Sequence, residues 1–218
     1  MTVRRALATM TIGMASFSAL ATPAAAQVLV SVGLLASLAD HRVDVGSGVE
    51  HSTGTVAGGL AGLEWHLVRV NLSLVTGELG ALGGNAVSRT LSEARLDVSR
   101  PVRSWLTLHA GTVTRRYSSP IAAQRWNIAR TAVEGRFTMF DGVLEAGAMG
   151  TFDPIVSVSG TRSPNLSIGG ATSLAYGGKR LTVRLAHTIE RADFPPRDGK
   201  PRVEQLSMLT LGVGWRLR

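Results

Sequence analysis

From Gln27 to the end of this 218-residue chain, apolar side chains recur at every second position far more often than at helical spacing. The stretch LSEARLDVSR, residues 91–100, shows the pattern clearly. Successive side chains of an extended strand point to opposite faces. Leu91, Glu93, Arg95, Asp97 and Ser99 therefore share one side, and Ser92, Ala94, Leu96 and Val98 the other. An amphipathic helix would repeat its apolar residues every three to four positions, so the chain reads as all-β.

The same division runs through the other strands. Val70, Leu72, Leu74 and Thr76 oppose Arg69, Asn71 and Ser73; Leu106, Leu108, Ala110 and Thr112 oppose Thr107, His109 and Arg115. Ala129, Thr131, Val133 and Phe137 oppose Arg130, Glu134 and Arg136, and Leu209, Leu211, Val213 and Trp215 oppose Thr210, Gly212 and Arg216. Gly, Pro and Asp clusters punctuate the pattern. They place ten strands, within a range of eight to twelve, at about 28–39, 54–67, 69–79, 89–99, 105–116, 126–139, 143–153, 166–176, 180–193 and 203–217. Tight connections around Leu67–Val68 and at RPVRS, FDG and GGK alternate with the longer DHRVDVGSGVEHST, GALGGNAVS, YSSPIAAQR, DPIVSVSGTRSPN and ADFPPRDGKPR. That alternation describes an up-and-down antiparallel meander with short turns at one rim and long loops at the other.

Such a wall can turn its apolar face inward, as a soluble barrel does, or outward to lipid. Three features favour lipid. The aromatic residues gather at strand ends: Trp65, Trp105, Phe137, Phe140, Tyr176 and Trp215 near the short-turn rim, and Tyr117, Trp126, Phe152 and Phe194 near the long-loop rim. Two such girdles match the preference of aromatic rings for the lipid–water interface. The apolar face is built from Leu, Val, Ala, Gly and Thr, a poor filling for a close-packed core. The charged face carries both signs, as enclosed charges require. Pairing around Asp141 would set Arg136 opposite Glu145, and pairing around Val102 would set Arg95 opposite His109. The expected fold is thus an up-and-down antiparallel transmembrane β-barrel, with short periplasmic turns and longer extracellular loops.

Residues 1–26 read as a signal peptide. Arg4 and Arg5 precede the apolar run ALATMTIGMASFSALA, and ATPAAAQ offers a small-residue cleavage site before Gln27. The barrel domain then occupies 27–218. No later run approaches the ~20 apolar residues of a spanning helix, and a hydrophobic content of 44% is too high for a disordered chain. There are no cysteines. The formal charge of +8 is nearly all arginine, with lysine only at Lys179 and Lys200, and it is spread along the chain without a basic helix or zinc pattern. Nucleic acid is therefore not an expected partner.

With its leader, ten amphipathic strands, alternating loop lengths and aromatic rims, the chain resembles the small outer-membrane β-barrel proteins of Gram-negative bacteria. Its last strand, QLSMLTLGVGWRLR, is similar to the signal such proteins present to the outer-membrane assembly machinery. That signal normally ends in an aromatic residue; here Leu217 holds the outward apolar position and Arg218 follows. The resemblance implies residence in the cell outer membrane, with its lipid and that machinery as partners.

The residues expected in the lumen are Glu64, Arg69, Glu93, Arg95, Asp97, His109, Arg115, Arg130, Glu134, Arg136, Glu145, Arg184, Glu190 and Arg216. In a ten-stranded barrel they would form either a salt-bridged plug or a charged constriction. Strand eight adds the small inward residues Ser167, Gly169, Ala171, Ser173 and Ala175. No catalytic, cofactor or metal motif emerges. His187 falls on the lipid-facing side, and His41, His51 and Ser52 fall in the first long connection with Asp40, Asp44 and Glu50. The catalytic patterns of lipid A deacylases and outer-membrane proteases find no match. The expected role is structural or surface-interacting, with loops meeting an extracellular surface ligand. A narrow, porin-like passive channel, a soluble periplasmic lipocalin-like barrel and a rim-located lipid A or peptide hydrolase remain as alternatives.

Overall fold

The computed structural model describes residues 28–83, 87–120, 122–178, 180–197 and 199–217, so the expected leader lies outside the described residues. The period-two sequence forms ten strands: β1 (Leu29–Asp44), β2 (Val49–Trp65), β3 (Val68–Leu82), β4 (Arg89–Arg103), β5 (Leu106–Ser118), β6 (Ala123–Met139), β7 (Leu144–Val158), β8 (Leu166–Gly177), β9 (Leu181–Arg197) and β10 (Lys200–Leu217). Each pairs antiparallel with the next, and β1 pairs with β10 to close a barrel. Following paired residues once round from Val30 leads through Leu63, Val70, Val98, Ala110, Thr131, Phe152, Ile168, Arg191 and Gln205, and returns to β1 at Arg42. That stagger along β1 tilts the strands against the barrel axis, as closure demands.

The strands extend well into the stretches read from sequence as long loops. β1 continues through His41 to Asp44, β2 begins at Val49, and β9 and β10 take in Pro195, Pro196 and Pro201. All of DPIVSV is strand, with a bulge in β7 at its start. Asp153 and Pro154 together oppose Arg130, and the extra residue shifts the inward parity, so that Asp153 points in below the bulge and Val156 and Val158 point in above it. The tight turn after β6 puts Phe140 and Asp141 in left-handed backbone at φ 53° and 54°, with Gly142 following at 82°.

The register also corrects two expected ladders. Arg136 faces Gly147, and Glu145 faces Thr138. Arg95 faces Val113, and His109 faces Ser99.

The wall has two zones of opposite polarity. Toward the tight turns, Leu34, Leu72, Leu74, Leu96, Leu108, Val133, Leu174, Leu185 and Leu211 are exposed on the outer face, while the charged residues point in. Toward the other rim this arrangement inverts. Gln205 and Ser207 point out while Leu206 and Met208 point in; Arg125 and Asn127 point out while Trp126 and Ile128 point in. Glu78 and Gly80 flank inward Leu79, and Arg191 and Asp193 flank inward Ala192. The upper zone thus holds a conventional core inside the barrel: Val56, Leu79, Leu91, Val113, Tyr117, Trp126, Ile128, Phe194, Leu206 and Met208 form one buried cluster.

This inversion overturns half of the expected aromatic arrangement. Trp65, Trp105, Phe137, Phe140, Tyr176 and Trp215 are exposed beside the tight turns, and Phe152 is exposed nearer the other end. Tyr117, Trp126 and Phe194 are instead buried inside the barrel. Their rings fill space that no lipid reaches. Above the apolar band the outer face is polar and the apolar side chains gather on the inner face, as in the core of a soluble barrel.

Candidate functional site

The lumen below the aromatic core is organised by two ion clusters. In the upper one, Glu190 on β9 accepts from three arginines of the facing wall: Arg95 Nη2 at 3.2 Å, Arg115 Nη2 at 2.6 Å and Arg130 Nη1 at 2.5 Å. Glu93 accepts from Arg95 Nη2 at 3.0 Å and Arg115 Nε at 2.7 Å. Arg130 also grips Asp153 through Nε and Nη2, at 2.7 and 3.0 Å, and Ser167 donates to the same carboxylate at 2.7 Å. Three carboxylates and three guanidiniums thus neutralise one another across the barrel in forked, charge-assisted hydrogen bonds.

The second cluster centres on Glu134. Arg136 donates to it through Nε and Nη2 at 2.9 and 2.7 Å, and Arg184 Nη2 approaches at 3.2 Å. His109 bridges Glu134, 3.1 Å from Nε2, and Asp97, 3.1 Å from Nδ1. Glu145 lies 4.0 Å from Arg136, a diagonal contact in place of the expected direct one. Nearer the tight-turn mouth, Arg69 Nη2 donates to the directly opposed Glu64 at 2.9 Å, and Arg216 faces Ser31.

Three participants escaped sequence reasoning. Asp153 stands where the expected seventh strand ends and the connection DPIVSVSGTRSPN begins, and it continues the odd-numbered inward series Glu145, Gly147, Met149 and Thr151. His41 lies in β1, points inward, stacks on Tyr117 at 4.3 Å between ring centroids, and sits 3.6 Å from Glu204 of β10. Arg202 pairs with Glu204 and lies 4.8 Å from the Phe194 ring centroid, while Trp126 meets Phe194 edge-on at 5.6 Å. Neither His41 nor Ser52 is a loop residue: both point into the barrel, whereas His51 is on the outer face, 2.7 Å from Asp40. His187 interrupts the outer apolar band and is satisfied by Ser207 Oγ at 2.9 Å.

The aliphatic and aromatic core caps the lumen at the upper end, where Leu79 and Leu91 are 0% exposed. Below it a chamber of about 440 Å³ remains, lined mainly by β1, β2, β3, β9 and β10. It runs from Glu64, Arg69 and Arg216 near the tight turns up to Val75, Met208 and the Glu93–Arg95 pair. Small inward residues make this room: Ser31, Gly62, Ser73, Ala171, Ala186 and Gly212.

The chain matches no protein-family model and no curated protein sequence. Its neighbours among solved structures are outer-membrane β-barrel proteins. Neisserial surface protein A is 11% identical, with 85% of this chain and 97% of that one aligned at a TM-score of 0.40. The translocator domain of the autotransporter NalP from Neisseria meningitidis is 10% identical, over 86% and 88%, at 0.42. Ail, the attachment invasion locus protein of Yersinia pestis, is 11% identical, over 86% and 98%, at 0.31.

Proposed function

We propose that the chain is an integral outer-membrane barrel with a closed lumen, acting at its surfaces as a structural or interaction protein rather than as a conduit. The observation that carries this reading is the inversion of side-chain polarity along the wall. An outward apolar band bounded by Trp65, Trp105, Phe137, Tyr176 and Trp215 suits lipid. The polar collar above it suits water and headgroups. Outer-membrane lipid and the assembly machinery are the partners this reading requires. An extracellular ligand would meet the strand-supported collar, where Arg42, Arg116, Arg125 and Arg191 point outward. Against a conducting lumen stands the buried cluster around Leu79, Leu91 and Trp126, which fills the upper bore, with the ion clusters crossing below it.

Fractionation combined with gel mobility before and after heating, followed by planar-bilayer recording of the refolded protein, tests the proposal. A heat-modifiable band in the outer-membrane fraction and an electrically silent bilayer are expected. Recovery in the periplasmic soluble fraction would refute the membrane assignment, and discrete conductance steps would refute the closed lumen.

A further inference from the structure

Resting on the closed-barrel reading above, we infer that the lower chamber is a blind binding pocket for a small anionic amphiphile, entered from the tight-turn side. Its volume of about 440 Å³ is that of a small-molecule site rather than of a packing defect. Its two ends differ in chemistry. The deep end carries Leu35, Leu60, Val75, Met149 and Met208, all on inward positions of their strands, beside the Glu93–Arg95 pair, whose charges are already taken up by each other and by Arg115 and Glu190. The mouth carries Arg69, Arg184 and Arg216 against the single carboxylate of Glu64. Glu64 is already engaged by Arg69, and Arg184 is half exposed, with Nη2 held by Glu134 and Ser173 at 3.2 and 3.0 Å. Guanidinium groups remain available to a carboxylate or phosphate that stops at the mouth, where a charge-assisted, forked contact is geometrically suited to them. The aliphatic tail of such a ligand would run along Leu35 and Leu60 toward Met208. A neutral amphiphile would forgo the mouth contacts, and a compact polar anion the apolar ones.

The deep-end methionines supply the test. Refolded protein with carbon-13 methyl-labelled methionine, held in lipid nanodiscs, is titrated with decanoate and, separately, with decanol. Met149 and Met208 resonances are expected to shift saturably with decanoate, whereas Met139, on an outward position of β6, shifts only in proportion to ligand dissolved in lipid. Arg216→Gln combined with Arg184→Gln should weaken decanoate binding about tenfold, the loss of a charge-assisted contact. Ala186→Phe, which fills the chamber, should abolish the saturable shifts. Three results would each overturn the inference: non-saturable shifts, equal affinity for decanol, or unaltered binding in Ala186→Phe. In a folded, heat-modifiable and non-conducting barrel, any of these leaves the closed-lumen reading standing. Failure of the wild-type chain to form a membrane-embedded barrel refutes both.

Discussion

Glu190→Gln isolates the upper ion cluster with almost no change of shape. The carboxylate accepts from Arg95, Arg115 and Arg130 at 3.2, 2.6 and 2.5 Å, and Arg115, Arg130 and Glu190 are nearly buried. The substitution leaves Glu93 and Asp153 facing three guanidiniums. Removing one partner from a buried, hydrogen-bonded ion pair costs about 3–5 kcal/mol. Arg95 is a quarter exposed, so solvent screens its share, and the lower end of that range is expected. Adding Arg115→Gln restores charge balance, because Glu93–Arg95 and Arg130–Asp153 remain as intact pairs. The double variant should therefore be less destabilised than the two single variants predict together, by about 0.5–3 kcal/mol. Urea unfolding of protein refolded into vesicles, followed by tryptophan fluorescence, measures each value. A loss below about 1 kcal/mol for Glu190→Gln, the size of a solvated surface pair, or strict additivity in the double variant, would refute a sealed cluster.

Orientation is checked by paired arginine substitutions: Leu108→Arg, on the outer apolar band, should cost about 2–4 kcal/mol in the same unfolding assay, whereas inward Ser73→Arg, beside the chamber, should cost much less, and the reverse order would contradict a lipid-facing exterior. Trp126→Ala should destabilise by about 3–5 kcal/mol as a core truncation, while Phe140→Ala, 76% exposed in a tight turn, should stay within about 0.5 kcal/mol; equal losses would refute the internal aromatic core. Gly58→Ala should sharply reduce the yield of heat-modifiable protein, because a Cβ there falls on the Leu74 carbonyl oxygen of the neighbouring strand, and a normal yield would show that β2 and β3 can separate without penalty.

Alternation shows which side chains share a face, turn spacing gives about ten strands in antiparallel order, and the aromatic strand ends together with the mixed-sign charges turn Glu93, Arg95 and Glu134 inward. What alternation leaves open is whether one rule for inside and outside holds over a whole strand. In β10 it does not: Leu209, Leu211 and Val213 point out, but two residues before Leu209 the outward position is Ser207, and Leu206 and Met208 turn in. Alternation carries the strand over 203–217 but, with one polarity assumed throughout, gives no sign that Leu206 and Met208 belong to an internal core. Asp153 sits at the bulge itself, where strand and connection meet in the sequence pattern, and His41 falls among the polar residues of an expected loop, although both belong to the lumen. Long-range partners were equally inaccessible. Glu190 meets Arg115 and Arg130 across the bore, and no local pattern announces a contact between strands that are not adjacent.

The seam between β1 and β10 has a consequence for biogenesis. Val30 waits for Leu217, and Gly33 for Gly214, so one flank of the first strand stays unsatisfied until the last has been made. A partly built sheet would carry two rows of bare amide and carbonyl groups, which hydrocarbon cannot solvate. Insertion should therefore follow a zipper that shuts late and all at once. A nascent chain arrested before β10 would be a substrate for proteolysis rather than a stable membrane resident.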